Sequence, residues 1–233
     1  MYCGKSKINK KVAFILAAAG LGKRMGLDYP KQFLEYKGEP LFYSSLKIAF
    51  ENKLIDEIYI ITNEENLEYM NKFCKEKELF SKVKKIVKGG AERQESVYNA
   101  LREIKNADYV IIQDGVRPFL EDEYIEKTLE VVDDDGYDGA VIGVKVKDTV
   151  KLVDIDNEII STPARDFIIL VHTPQTFKFD IIKQAHEEAK QRKIKVTDDS
   201  MLVERMDNKR IKFIHGNYDN IKITTKEDLK FLK

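Results

Sequence analysis

The sequence predicts an α/β fold, a doubly wound and largely parallel sheet with helices on both faces, and three observations carry that expectation. Short β-rich apolar runs alternate with helix-length amphipathic stretches through the first two thirds of the chain, the βαβα rhythm of an open sheet wrapped by its own crossovers. The first of those runs, VAFILAA at 12–18, is continuously apolar, as a strand covered on both sides must be. Chemically distinctive turns follow three of the strands, at 18–26, at Gly89 and Gly90, and at 114–118. Ligands of open α/β sheets bind beyond strand carboxyl ends, so these three turns should face one crevice.

Each element follows from local chemistry. After the strand at 12–18, PLFYSSLKIAFE (40–51) reads as a helix with proline in its first turn, where the missing N–H is not needed. Residues 58–62 form the next strand, and a charged helix runs from 64 to about 77. KKIVKGG is a short strand closing on glycines, with the amphipathic helix ERQESVYNALREI behind it. ADYVIIQDG is a strand that hands over to Asp114; EDEYIEKTLEVVDD is a helix and DGAVIGVKV a strand. From Lys147 to about Ile169 the rhythm breaks, and strand-like stretches surround a polar DIDN turn. That predicts a protruding β-hairpin arm with no helix to cover it, marginal alone and expected to pack on a second subunit. A helix at 179–190, another after TDDS, the strand RIKFIHG and a short closing helix after NIKITTKEDL complete the chain. With no internal repeat, low-complexity tract or linker, residues 1–233 read as a single domain with a dimerisation arm at about 147–169.

Composition narrows the partners. Forty basic and forty acidic side chains cancel, so no global field favours nucleic acid or an anionic membrane, and anions must be held by local clusters. Cys3 and Cys74 are far apart and lack metal-ligand spacing; they read as reduced thiols of a cytoplasmic protein. The basic MYCGKSKINKK followed by VAFILAAAG has the outline of a secretion signal. Cleavage after the alanines would remove a buried strand and start the chain inside a glycine loop, which argues against that reading. No other apolar run approaches the roughly 20 residues that span a bilayer.

The stretch AAAGLGKRMG carries the first chemistry. Gly20 and Gly22 let backbone N–H groups approach an anion, Arg24 adds a forked donor, and Lys31 in PKQF a second, compact cation. A dinucleotide turn is disfavoured, because Gly26 comes one residue late and SSLKIAF holds no acid for a ribose hydroxyl. An ATPase-type loop would need Gly-Lys-Ser/Thr. Two cations beside a glycine loop suit a triphosphate attacked at its α-phosphorus; solvated charges at a helix start are the alternative. Asp114, followed by Arg117 and Pro118, is placed to hold Mg2+, to accept from a substrate hydroxyl, or simply to cap a turn. GGAERQES offers Gly89, Gly90 and Ser96 to a base, or is an ordinary strand–helix turn.

In order, AAAGLGKRMG, PKQFL, GG..R..SV, DGVRPF, VKDTVK, HTPQTF, TDDSMLVE and NIKITTKEDL resemble the 2-C-methyl-D-erythritol 4-phosphate cytidylyltransferase family of the non-mevalonate isoprenoid pathway, from about Lys11 to the C-terminus. The resemblance implies a Rossmann-like nucleotidyltransferase that uses Mg2+ to move CMP from CTP to a sugar-alcohol phosphate, methylerythritol phosphate, with release of pyrophosphate. It implies that Arg24 and Lys31 stabilise the transition state, and that Ala18, Ala19 and Gly20, with Gly90 and Ser96, form the cytidine wall beside Gly22. Asp114 and Arg117 fall near ribose, metal and acceptor; Arg165 and Lys222 hold the acceptor phosphate with Thr149 and Thr173 beside them. Thr197 and Thr224 fall at further motif positions. The resemblance also implies a homodimer paired through the arm, with Thr149, Arg165 and Thr173 completing the neighbour's pocket.

Three positions depart from the family pattern. Ala91 stands where an acid is common, Lys145 where a proline often precedes VKDT, and His172 where glutamine usually precedes Thr-Pro-Gln. An acceptor phosphate is already ionised near neutral pH and needs no base, so His172, His186 and His215 read as structural or surface residues. The rival readings are a ribitol-5-phosphate cytidylyltransferase of wall-polymer synthesis, which shares the glycine loop and NIKITT, a non-catalytic nucleotide-binding protein, and an NAD-linked oxidoreductase.

Overall fold

The computed structural model describes residues 8–20, 29–134 and 136–232; Cys3, Gly22 and Arg24 lie outside the described residues. β1 (Val12–Ala17) runs through the middle of a seven-stranded sheet. A small hairpin follows, β2 (Glu35–Tyr36) and β3 (Glu39–Pro40), then α1 (Leu41–Glu51), which begins after Pro40 and leaves the proline as its N-cap. β4 (Glu57–Thr62) leads to α2 (Leu67–Glu76). Residues Glu64–Asn66, expected to open that helix, form a separate 3-10 turn. There the Asn66 backbone N–H and side-chain amide both donate back to Asn63, a local closure that competes with the i to i+4 ladder. β5 (Val83–Lys88), α3 (Arg93–Glu103), β6 (Tyr109–Asp114), α4 (Asp122–Asp133) and β7 (Gly139–Lys145) then alternate as the sequence predicts.

The arm follows, with β8 (Leu152–Val153) paired to β9 (Ile159–Ser161). Its DIDN corner is an Asx turn in which Asp154 Oδ1 accepts the N–H groups of Asp156 and Glu158 while Asn157 takes a φ of 64°. β10 (Ile169–Lys178), α5 (Phe179–Arg192), the single turn α6 (Ser200–Val203), β11 (Ile211–His215) and a 3-10 turn at Lys226–Leu232 end the chain.

The strand order is β11-β7-β10-β6-β1-β4-β5. β1, β4, β5 and β6 are mutually parallel, and β11 is parallel to β7, whereas β10 runs antiparallel to both its neighbours. Pattern reading assigns no strand to HTPQTF, because Thr173, Gln175 and Thr176 are polar and a proline interrupts the run. The three are buried all the same, and Thr176 Oγ1 donates to Thr128 Oγ1 of α4 at 2.7 Å. The reversed strand accounts for the break in rhythm. Antiparallel neighbours need no crossover helix, so the segment between β7 and β10 is free to protrude as the arm.

Alternation along β1 divides the core. Phe14 and Leu16 pack with Phe42, Leu46, Ile58, Ile60, Ile111 and Ile142 on one face, whereas Ala13 and Ile15 pack with Ile61, Val97, Ile112, Phe177 and Ile182 on the other. Burying each large aliphatic or aromatic side chain here stabilises the fold by about 1.5–3 kcal/mol relative to exposure. The sheet is thus covered by helices on both faces, as expected. None of the helices among the described residues is long and apolar enough to cross a membrane. Cys74 is a free buried thiol that burial pushes up to about 12.

Candidate active site

A cavity of about 620 Å3 opens at the carboxyl ends of β1, β4, β5 and β6, where the three distinctive turns were expected to meet. Its wall is built from small residues for a steric reason. A Cβ on Gly89 would lie 2.6 Å from the Ala19 Cβ, and one on Gly115 would lie 3.0 Å from the Ala18 Cβ. The strand ends approach this closely because neither glycine has a side chain. The end of β1 is pinned twice, by the Ala18 N–H donating to the Ile61 carbonyl at 2.9 Å and by Gln32 Nε2 donating to the Ala18 carbonyl at 2.6 Å. Gln32 belongs to the 3-10 turn Lys31–Phe33, which carries Lys31, almost wholly buried, into the cavity wall.

On the opposite side the start of α3 is organised by its own side chains. Ser96 Oγ accepts the Gly90 N–H at 2.9 Å and donates to the Glu92 carbonyl, while Glu95 Oε2 accepts the Ala91 N–H at 2.8 Å. These two bonds from the loop to side chains of the first turn of α3 fix the loop that lines the cavity, and they engage the Gly90 N–H within the protein. Ala91 stands exposed at the rim.

The floor is an ion cluster around Asp114, at the end of β6. Its carboxylate, 5% exposed, meets Arg93 Nε at 2.9 Å, Lys222 Nζ at 2.7 Å and Arg117 Nε at 3.8 Å. Burial alone would raise the Asp114 carboxyl, but Arg93, Lys222 and Arg117 together hold it well below the usual carboxylate range. Arg93 is shared: its Nη1 donates to Asp199 Oδ2 at 2.6 Å, and the other Asp199 oxygen faces His186 Nε2 at 3.2 Å. Asp199 is likewise lowered, with burial opposed by Arg93 and by the His186 hydrogen bond.

The expected residues that are described fall into four places. Ala18, Ala19, Gly20, Lys31, Gly90, Ser96, Asp114, Lys222 and Thr224 line the one cavity. Arg117 and Thr173 sit behind it. Arg117 Nη1 donates to the Asn220 carbonyl at 2.7 Å, Asn220 Nδ2 donates to the Thr173 carbonyl at 2.9 Å, and Thr173 Oγ1 accepts the Asp114 N–H at 3.1 Å. Thr173 therefore braces Asp114 of its own chain, which corrects the expectation that it reaches a neighbour's pocket: it lies inside β10, not on the arm. Thr149 and Arg165 form the third group, exposed on the arm, with Arg165 Nη1 on the Lys147 carbonyl at 2.9 Å. Thr197 lines a separate side cavity of about 60 Å3 with Arg93 and Asp199.

The histidines hold structural or surface positions. His172 is half-buried, and burial followed by the nearby Arg117 charge pushes it down to about 4. His186 is buried and stacks on Tyr98, while His215 is exposed against Phe213. Sequence reasoning gave no role to Arg93, Asp199 or Gln32, although all three lie within the motif stretches. What distinguishes them is partners from distant parts of the chain, which no local pattern reports.

Among the described residues no group of three or more His, Cys, Asp or Glu is arranged to hold a metal ion. A divalent cation here would share one buried carboxylate, Asp114, with the phosphates of a ligand. Hard divalent cations keep water and phosphate oxygens and take one or two protein carboxylates, and here both Asp114 oxygens already meet cations, Oδ1 with Arg93 and Oδ2 with Lys222.

A mostly parallel α/β sheet that gathers small residues and lysines around a crevice at its strand ends is a ligand site of the doubly wound kind, and the fold is that of the nucleotidyltransferase class. The model of the 2-C-methyl-D-erythritol 4-phosphate cytidylyltransferase (IspD) family matches residues 12–232, and the chain belongs to that family. It is 63% identical to the 2-C-methyl-D-erythritol 4-phosphate cytidylyltransferase of Fusobacterium nucleatum over 233 residues, all of both chains. It is 44% identical to that of Clostridium botulinum over 218 residues, 94% of this chain and 96% of the relative. The crystal structure of 4-diphosphocytidyl-2C-methyl-D-erythritol synthase from Anaerococcus prevotii superposes with a TM-score of 0.85 at 32% identity, covering 96% of this chain and 94% of that one.

Proposed function

We propose that the protein transfers CMP from CTP to the phosphate of 2-C-methyl-D-erythritol 4-phosphate in isoprenoid precursor synthesis. An acceptor phosphate oxygen attacks the α-phosphorus, the bond from that phosphorus to the bridging β-oxygen breaks, and pyrophosphate leaves with the electron pair. The observation that carries the reading is the meeting of Lys31 and Lys222 with Ala18, Ala19, Gly20, Gly90 and Ser96 in one cavity. Two anions that repel each other must be held together for the reaction, so positioning by fixed cations is the main lever.

In this reading the small wall residues take the cytidine. Lys31, with Gly22 and Arg24 of the preceding sequence motif, takes the triphosphate. Lys222 takes the acceptor phosphate, and Arg117 and Thr173 support it by bracing Asp114. Mg2+ would be held by the triphosphate, and by Asp114 Oδ2 once Lys222 has left it, supplying charge neutralisation at the phosphates.

The same reading makes the protein a cytoplasmic homodimer paired through the arm. Ile155, Ile159, Ile160 and Phe167 expose apolar surface there, Phe167 to 89% and Ile155 to 96%, a concentration that supports this pairing. Arg165 and Thr149 would then reach the partner's cavity. Pyrophosphate release assayed with CTP, Mg2+ and either methylerythritol phosphate or ribitol 5-phosphate tests the acceptor. A preference for ribitol 5-phosphate overturns it, and no release with either overturns the activity.

A further inference from the structure

We propose that Arg93 is a positioning residue whose two-aspartate clamp lets Lys222 exchange the Asp114 carboxylate for the phosphate of the acceptor. The inference rests on the acceptor role given to Lys222 above. Arg93, the first residue of α3, spans two buried carboxylates, one at the end of β6 and one before α6: Nε to Asp114 Oδ1 at 2.9 Å and Nη1 to Asp199 Oδ2 at 2.6 Å. Its orientation is fixed from behind. Asp199 is the N-cap of α6, its second oxygen faces His186 Nε2 of α5 at 3.2 Å, and the His186 ring stacks at an interplanar angle of 10° on Tyr98 of α3 itself. Helix, aspartate, histidine and helix close a ring around one guanidinium.

The three cations on Asp114 are not equivalent. Side-chain exposure is 9% for Arg117, 28% for Arg93 and 35% for Lys222. Lys222, at the cavity side, is thus the partner able to leave. A buried carboxylate stripped of its partner is strongly destabilising, so Lys222 can move to an incoming phosphate only if Asp114 stays satisfied. Arg93 holds Oδ1 throughout, and the exchange becomes one charge-assisted bond for another. With the clamp loosened, Asp114 competes with the acceptor for Lys222.

Two variants separate this from a simple field effect. Asp199→Asn removes a negative charge near an anion site, so the field alone would tighten acceptor binding. Loss of positioning weakens it instead. Arg93→Lys keeps the charge but has no fork to span both carboxylates. For each, we expect the KM of the acceptor to rise about fivefold to tenfold, while the KM of CTP and kcat stay within about threefold. The double variant should be no worse than Arg93→Lys alone, as coupled residues require. A purely structural role would lower the thermal midpoint without this split in KM. An unchanged or lowered acceptor KM in the folded variants overturns the proposal, as does a multiplicative loss in the double variant. If Asp199→Asn fails to fold, Arg93→Lys decides alone. If the unaltered protein turns over no acceptor, the functional reading fails separately. Calorimetry with inorganic phosphate then decides this point: about fivefold weaker binding in the variants supports it, and equal or tighter binding refutes it.

Discussion

Lys222 Nζ lies 2.7 Å from Asp114 Oδ2, joining the segment before the last 3-10 turn to the end of β6 across 108 residues of sequence. The contact places a half-exposed cation beside a buried carboxylate at the bottom of the cavity. In the proposed reaction this ammonium receives the acceptor phosphate. Lys222→Ala should raise the acceptor KM about 10- to 100-fold, the worth of one charge-assisted hydrogen bond. The KM of CTP should change far less, which steady-state kinetics with each substrate varied will read.

Asp114→Asn leaves Arg93, Arg117 and Lys222 facing a neutral amide. Removing one partner of a buried ion cluster destabilises by about 3–5 kcal/mol, measurable as a fall in the denaturant midpoint at pH 7. The sign with pH follows from the depressed folded-state value of Asp114. Its stabilisation is fully present above the unfolded carboxylate value of about 3.9 and is lost as pH falls from there towards the lower folded value. The stability gap between the unaltered protein and Asp114→Asn should therefore be constant from pH 7 to about pH 5 and narrow below about pH 4.

Gly89→Ala sets a methyl 2.6 Å from the Ala19 Cβ, a contact that the short alanine cannot relieve by rotating. Overpacking of this kind costs about 1–3 kcal/mol. The shift falls on the wall assigned to cytidine, so the KM of CTP should rise together with a lower thermal midpoint. Gly38→Ala, at an open turn where a Cβ meets nothing within 4 Å, adopts φ +78°. It should lower stability without altering the KM of CTP.

Phe167→Ser and Ile155→Ser remove apolar surface that is almost fully exposed in the single chain. Neither should destabilise the monomer by more than about 0.5 kcal/mol, the usual range for surface changes. Sedimentation velocity should show the proposed dimer dissociating, and turnover should fall as Arg165 and Thr149 lose the partner's cavity. A dimer that persists in both variants removes the arm from that role.

The parallel half of the sheet was legible because continuous runs such as Val12–Ala17 and Tyr109–Asp114 announce buried strands, and because glycines and Asp114 mark their ends. β10 was not, since its buried stretch is polar and its satisfaction comes from Thr128 and from Asp114, partners 48 and 59 residues away. The cavity residues Ala18, Gly90 and Lys222 stood in recognisable motifs. Arg93 and Asp199 stood in the same motifs without a legible role, because an ion pair across 106 residues has no periodicity to betray it. The corner hairpin of β2 and β3 is two residues per strand, too short for any alternation to show.

Lys145 and Ile169 are register partners, so the whole arm leaves and re-enters the sheet at a single rung. Among the described residues none between them belongs to the buried core clusters, and Lys147 over the Tyr218 ring ties the excursion to the body from outside the core. The arm's length and sequence can vary while the strand ends around the cavity stay fixed, and a tight two-residue turn grafted across that rung would give a minimal scaffold that keeps the crevice and lacks the surface proposed for association.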